Sequence, residues 1–263
     1  MSTKYNHTSR KHNKFDSYAE GYLAGMENPI KRLLGGSFEA FIRVKAKWLL
    51  TDLSRNPLTL TTFPENIRLL DFGCGSGELL QTLRKMGFKG KLEGCDVSEK
   101  MLKEAVKRWN CGSVPPLHLI REGNQTPFAE NFYDVVVACS VFHHIDLSKH
   151  SEVFTELLRI LKHGGRIVLF EHNPLNPVTR YIVDKTPIDY NVVFITARKT
   201  REMMSLARLN SIRVNYFLFF PPRLQWRWLK RLEHILWWVP FGGQYVVVGE
   251  KPTSYKGYPS IID

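Results

Sequence analysis

The stretch LLDFGCGSGELL, residues 69–80, constrains this chain more than any other part of it. An apolar run containing Asp71 stops at Phe72, glycines stand at 73, 75 and 77, and a helix-like sequence begins at Glu78. Glycine enters left-handed backbone conformations without steric cost, so this pattern predicts a strand turning abruptly into a helix. Such a turn lets a ligand approach the backbone, and the first N–H groups of the helix favour a carboxylate or phosphate. An isolated glycine cluster also suits a plain tight turn, so its surroundings decide.

Those surroundings alternate. From 67 to 195, short apolar runs alternate with amphipathic stretches, which predicts a parallel sheet with crossover helices. Ile67–Phe72 reads as a strand, and the following helix places Leu79, Leu80 and Leu83 on one face before Gly87 stops it. A second strand runs from Lys91 to Asp96, and Ser98 caps a helix with Met101, Leu102, Ala105 and Val106 on its apolar face. Leu117–Arg121, Tyr133–Cys139 and Arg166–Phe170 are three further strands, with a helix over Ser151–Leu161. YDVVVAC has the unbroken apolar character of a strand covered on both faces. Residues 172–195 hold three prolines without a clean period and read as a long loop or lid. Thr196 caps a helix through Leu209, and Ser211–Phe220 and Gln244–Glu250 read as strands, antiparallel if they are neighbours.

Asp96 ends the second strand 19 residues after Gly77, where a carboxylate can accept from both hydroxyls of a ribose. The dinucleotide fingerprint G-x-G-x-x-G does not fit. Counted from Gly73, its third glycine falls on Glu78, and counted from Gly75 it falls on Leu80.

Charge divides the chain in three. Residues 1–50 carry nine basic and four acidic side chains, residues 51–195 carry 17 of each, and residues 196–263 carry 11 and four, so the net +12 belongs to the two ends. A balanced centre with basic flanks suggests a ligand-binding core with attachments that meet an anionic partner. Four cysteines without a CxxC pair imply no metal site. The N-terminus lacks the apolar segment of a secretory signal, and the longest apolar runs are about eight residues against roughly 18 for a membrane span. The expected location is therefore the cytoplasm, with membrane association left to the basic attachments.

The succession LLDFGCGSG, LEGCDVSEKML, GNQTPF before YDVVVACSVFHHI, then LKHGGRIVLFE resembles the class I S-adenosylmethionine-dependent methyltransferases, and within them the small-molecule, quinone-pathway group. The likeness covers residues 67–171, and FDSYAEGY at 15–22 resembles the arm that closes over the cofactor in that family. It implies a Rossmann-like, doubly wound α/β fold with seven strands, mostly parallel with an antiparallel last strand. An N-terminal helical arm over residues 1–50 and a helical insertion between the last two strands complete the expectation, with the domain ending at 251 and a short tail after it.

The resemblance also implies roles. Gly73, Cys74, Gly75 and Gly77 face the methionyl part of S-adenosylmethionine, Asp71 supports the turn, Asp96 holds the ribose, and Val97 and Met101 line the adenine pocket. Asn124, with Gln125 beside it, stands where the family usually has an acid that reads the adenine amino group, and an amide oxygen can accept the same bond. Cys139 and Ser140 lie near the sulfonium, and Tyr18 belongs to the covering arm.

Methyl transfer from a sulfonium is an in-line displacement that asks chiefly for alignment and a deprotonated nucleophile. For a hydroxyl acceptor the tandem His143 and His144, at the mouth of the fourth strand, are the first candidates for a base. Glu171 and His172 at the mouth of the fifth are the second pair. Each pair has a bland alternative, packing beside a cofactor or covering a strand end. The expected activity is O-methylation of a small-molecule or lipid-linked, anionic acceptor. The alternative is a non-catalytic cofactor-binding regulator or membrane-recruited partner.

Residues 221–240, PPRLQWRWLKRLEHILWWVP, form a basic amphipathic helix. Leu224, Trp228, Leu232, Ile235 and Val239 share one face, and Arg223, Arg227, Lys230, Arg231 and His234 lie opposite. It suits peripheral docking on an anionic membrane, a lid over a greasy acceptor, or packing against its own domain. A nucleic-acid acceptor is disfavoured: amino-methylating enzymes of this kind carry an Asp/Asn-Pro-Pro-aromatic tetrad where this chain reads CSVFHH, and no cysteine follows a proline.

Overall fold

A computed structural model describes residues 15–16, 38–58, 64–120, 126–189, 192–220 and 227–254. Its centre is a seven-stranded sheet built from β1 (Arg68–Phe72), β2 (Lys91–Asp96), β3 (Leu117–Leu119), β4 (Tyr133–Cys139), β5 (Leu161–His172), β6 (Asn210–Phe217) and β7 (Gln244–Glu250). The spatial order is β3-β2-β1-β4-β5-β7-β6. β1 to β5 pair in parallel, and β7 lies antiparallel to both β5 and β6. The expected antiparallel pair therefore exists, with β7 inserted between β5 and β6.

Period-two alternation places neighbouring residues on opposite faces. Leu70, Val136 and Ala138 join the core on one side with Phe154 and Leu157, while Leu69, Val135 and Val137 join the other with Leu49, Leu80 and Leu83. Both faces of β4 are thus buried, which is why YDVVVAC contains so little polarity. Flanking helices are α1 (Phe38–Arg55), α2 (Glu78–Lys85), α3 (Glu99–Arg108), α4 (His150–Ile160), α5 (Pro177–Asp184), α6 (Ala197–Leu206) and α7 (Arg227–Leu236). α1 runs across position 50, where the sequence suggested that the arm ends, and buries Ile42, Ala46 and Leu49.

Residues 172–195 differ from expectation. They include α5 and a short 3-10 turn at Pro187–Asp189 rather than one long loop. Asn176 Oδ1 accepts from the Thr179 N–H at 3.0 Å, and Pro177 occupies the first turn, where its missing N–H costs nothing. In the insertion, α7 lies inside the expected helix. Residues 221–226 are outside the described set, and Leu229 rather than Trp228 or Ile235 is buried.

After β1 the chain winds outward through β2 and β3, then returns to lay β4 on the other side of β1. A crevice opens where the winding reverses, outside the carboxyl ends of those strands, and the candidate residues cluster there.

Candidate active site

The glycine turn adopts the backbone its sequence requires. Gly73, Gly75 and Gly77 have φ of 73°, 51° and 75°, the left-handed region that other residues enter at a cost. A Cβ on Gly73 would stand 2.6 Å from Val141 Cγ2, so the first turn residue must also be small because the chain leaving β4 crosses it. The N–H groups of Gly73 and Cys74 both donate to the Cys95 carbonyl, at 2.8 and 2.9 Å, which ties the turn to β2.

Asp96 is buried at the end of β2. Its Oδ2 accepts from the Gly75 N–H at 2.8 Å and its Oδ1 from the Ser98 N–H at 2.9 Å. Burial raises its pKa, and the N–H groups of Ser98, Gly75 and Val97 oppose the rise. Each carboxylate oxygen retains accepting capacity beyond one bond. Val97 is exposed beside it, and Met101 is buried on α3. Ser98 Oγ caps α3 by accepting from the Met101 N–H and donates to Asp16 Oδ1 at 2.5 Å.

Two buried polar atoms at the turn, Asp71 Oδ1 and Ser76 Oγ, have no hydrogen-bond partner among the described residues. Such orphans are costly and mark a place that a ligand can complete. Burial, reinforced by Asp96 and opposed by Lys45, pushes the Asp71 carboxyl up to about 8. A cationic donor brought to Oδ1 would satisfy the orphan and bring that pKa down. The glycine cradle, Asp71 and Asp96 therefore fit a ligand carrying an ammonium and a ribose.

Across β4, Lys45 of α1 is buried and donates from Nζ to Ser140 Oγ at 3.1 Å. Ser140 holds φ of 58°, a conformation uncommon outside glycine and enriched at functional sites. Burial pushes the Cys139 thiol up to about 12, so this cysteine is no nucleophile at neutral pH.

The two pairs of histidine and acid candidates form one cluster. Glu171 is buried, its Oε1 accepts from the Val141 and Phe142 N–H groups at 3.1 and 2.9 Å, and its Oε2 lies 2.5 Å from His143 Nδ1. His143 Nε2 is 3.1 Å from His144 Nε2. Asp189 Oδ1 lies 3.7 Å from His143 Nε2 and 3.5 Å from His144 Nε2. His172 stacks obliquely on His143, centroids 5.3 Å apart, and its Nδ1 is 3.4 Å from Gln244 Nε2.

Burial alone would strip the proton from His143, but Glu171 and Asp189 outweigh it and lift the pKa to about 9. His143 is then the cation of a buried triad at neutral pH. Burial works against Glu171 ionisation, yet His143 holds its pKa below the usual carboxylate range, and Asp189 is lowered likewise. One ligand atom each from His143, His144 and Asp189 lies within 4.8 Å of the others, a donor set that chemistry would also allow a cation. The cysteine spacing did not point to it.

Phe15 meets the His144 ring edge-on at 5.2 Å between centroids, so residues 15 and 16 touch both the β2 end and the β4 end of the site. Tyr18, Asn124 and Gln125 lie outside the described residues. Asp189 and Lys45 are the residues that sequence reasoning missed. Asp189 stands 45 residues beyond His144 in a stretch without periodicity, and Lys45 lies on a helix before β1, so no spacing could link either to the site.

Residues 70–169 match the model of the methyltransferase domain family. A putative methyltransferase of Bacillus subtilis is 32% identical over 130 residues, 49% of this chain and 51% of the relative. A demethylmenaquinone methyltransferase of Symbiobacterium thermophilum is 29% identical over 171 residues, 64% of this chain and 60% of the relative. The chain thus spans about half the length of the curated relatives it matches. Among solved structures, an S-adenosylmethionine-dependent methyltransferase of Thermotoga maritima superposes with a TM-score of 0.61 over 91% of this chain and 99% of the other, at 18% identity. Magnesium protoporphyrin IX methyltransferase of Synechocystis does so with a TM-score of 0.58 over 95% and 100%, at 13% identity. In its strand order, its glycine turn and these likenesses, the chain is similar to the class I S-adenosylmethionine-dependent methyltransferases, and within them to the quinone-pathway group.

Proposed function

We propose that this protein methylates a small-molecule acceptor at oxygen, by in-line displacement, with His144 as the proton-accepting group. Bound S-adenosylmethionine supplies a methyl group on a cationic sulfur, which leaves as a neutral thioether. The protein's share is then alignment and removal of one proton. The glycine turn and Asp71 hold the methionyl end, Asp96 holds the ribose, and Asp16 and Phe15 close the arm over both.

The observation that carries the reading is the buried Glu171–His143 pair beneath His144. His143 is sealed from solvent, whereas the His144 side chain keeps 16% of its surface exposed. With His143 protonated, its Nε2–H donates to His144 Nε2, which leaves His144 Nδ1 as the nitrogen that takes the acceptor's proton, and the ionised Glu171 and Asp189 offset the charge gathered in the cluster. Asp189 Oδ1 stands 3.5 Å from His144 Nε2. Glu171 acts through His143, by orienting the ring and holding its charge, rather than as a partner of His172.

The test is an acceptor screen that follows formation of the demethylated cofactor. His144→Asn should lower kcat by about 10²–10⁴ on an active hydroxyl acceptor with cofactor affinity unchanged. Binding without turnover on every acceptor would replace this reading with the non-catalytic regulator. Unaltered kcat in the variant would remove His144 as the base.

A further inference from the structure

Two segments far apart in sequence meet at the carboxyl edge of the sheet, beside the site. Asn173 Nδ2 donates to the Pro240 and Gly242 carbonyls at 3.0 and 2.7 Å, Asn176 Nδ2 donates to the Phe241 carbonyl at 2.7 Å, and Thr179 Oγ1 donates to Gly243 at 2.8 Å. Asn173 directly follows His172, and Gly243 directly precedes Gln244, so the junction borders the candidate site.

Among the described residues, the surface on this junction is apolar and exposed. Phe241 is 62% exposed, Trp238 65% and Ile235 63%, with Trp237 exposed between them. The start of α5 adds Leu175, Val178 and Tyr181, all exposed. Single exposed apolar residues need no explanation, but a group gathered from two segments marks an interaction site. The sequence left open whether the insertion packs on its own domain. Leu229 does so, whereas Ile235, Trp237 and Trp238 are exposed.

The charge of the same segment selects the occupant. Residues 221–240 hold four Arg or Lys and one acid. That acid, Glu233, is turned to its own chain and accepts from the Phe219 and Phe220 N–H groups at 3.1 and 3.3 Å. Arg231 is exposed. Basic residues together with exposed tryptophans are the composition of an interfacial helix. Among the described residues no helix is long and apolar enough to cross a membrane.

We propose that this rim, made by α7, residues 237–241 and the start of α5, docks on an anionic lipid surface. The mouth of the site then faces the bilayer, and a lipid-soluble acceptor enters from it. The docking stands on the surface alone; only the entry of the acceptor rests on the function proposed above.

The full chain is mixed with phosphatidylcholine vesicles, with and without phosphatidylglycerol, and separated by flotation. The expected result is at least tenfold stronger partition onto the anionic vesicles, weakening with salt. Trp237→Ala/Trp238→Ala/Phe241→Ala, a triple variant at exposed positions that should keep its circular dichroism spectrum, should lose about tenfold. Arg231→Glu alone should lose roughly 25-fold, since each basic residue near an anionic surface contributes about a factor of five and reversal removes two such contributions. Brominated lipid should quench tryptophan fluorescence in the parent more than in the triple variant. Absence of flotation, full retention by the triple variant, or sedimentation as a dimer that the triple variant dissolves would overturn the proposal, the last by assigning the rim to a second copy. Cofactor calorimetry on the same preparations separates this failure from failure of the methyltransferase reading, because cofactor binding needs no vesicle.

Discussion

Replacing Glu171 by Gln tests the electrostatic design of the site with little change of shape. In the parent, Glu171 accepts two backbone N–H groups through Oε1 and faces His143 Nδ1 through Oε2 at 2.5 Å. A glutamine can keep its oxygen on the Val141 and Phe142 N–H groups, but its amide then points N–H at Nδ1. A protonated His143 has no acceptor there, so the ring must give up its proton and accept instead. Burial remains as the largest influence on His143 and lowers its pKa, with Asp189 alone left to oppose it, so the pKa falls from about 9 towards the ordinary value. A fall from about 9 to the ordinary histidine value of 6.5 corresponds to about 3 kcal/mol.

The direction with pH follows from linkage. The folded-state pKa of His143 is raised, so its stabilisation is complete below the unfolded value of 6.5 and is lost as pH rises towards about 9. Asp71 adds a decline of the same sign between its unfolded value of 3.8 and about 8, but it is present in parent and variant alike and cancels in the difference. Urea unfolding of both proteins from pH 6 to pH 9.5 should show the parent more stable by about 3 kcal/mol near pH 6.5, with the gap closing by about pH 9. Histidine NMR should place the His143 midpoint near 9 in the parent and well below that in Glu171→Gln. A parent midpoint near 6.5, or a gap independent of pH, would refute the reasoning.

Other outcomes follow from single contacts. Gly73→Ala forces a side chain into a left-handed turn at φ 73° and against Val141 at 2.6 Å; a loss of about 1–3 kcal/mol and weaker cofactor binding are expected in unfolding and calorimetry, and an unchanged protein would contradict the need for glycine. Lys251→Ala removes the donor to the Leu158 and Leu161 carbonyls and Asn131 Oδ1; its unfolding midpoint should report a loss of about 2–4 kcal/mol. Asn176→Ala should cost about 1 kcal/mol as a lost helix cap and raise proteolysis at residues 237–243, where its side chain holds Phe241.

Legibility in the sequence followed the range of the interactions. Strands covered on both faces announce themselves by unbroken apolar runs, and the glycine turn by spacing, so β1, β2, β4 and the order of motifs through residue 169 could be read directly. Ser98 and Thr196 emerged as caps, as expected, each accepting from the N–H three residues on. The helix α5 was hidden because proline was read as a breaker, although Asn-Pro is a cap followed by a first-turn residue. Glu171 and His143 were both candidates, but in separate pairs. Their contact depends on the parallel register of β4 with β5, which no local spacing encodes. Asp189 and Lys45 reach the site through tertiary packing alone. The rim of exposed tryptophans was half legible: the amphipathic pattern was visible, while the choice between covering and exposing its apolar face depended on which side of α7 met the sheet.

The central claim, a class I cofactor site built on the Gly73–Gly77 turn and Asp96, is tested most directly by titrating S-adenosylhomocysteine into the parent protein and Asp96→Ala in a calorimeter. The account predicts one-to-one binding by the parent. It predicts affinity at least tenfold weaker in the variant, since charge-assisted hydrogen bonds contribute about 1.5–3 kcal/mol each. No binding by the parent, or equal affinity in the two proteins, would contradict it.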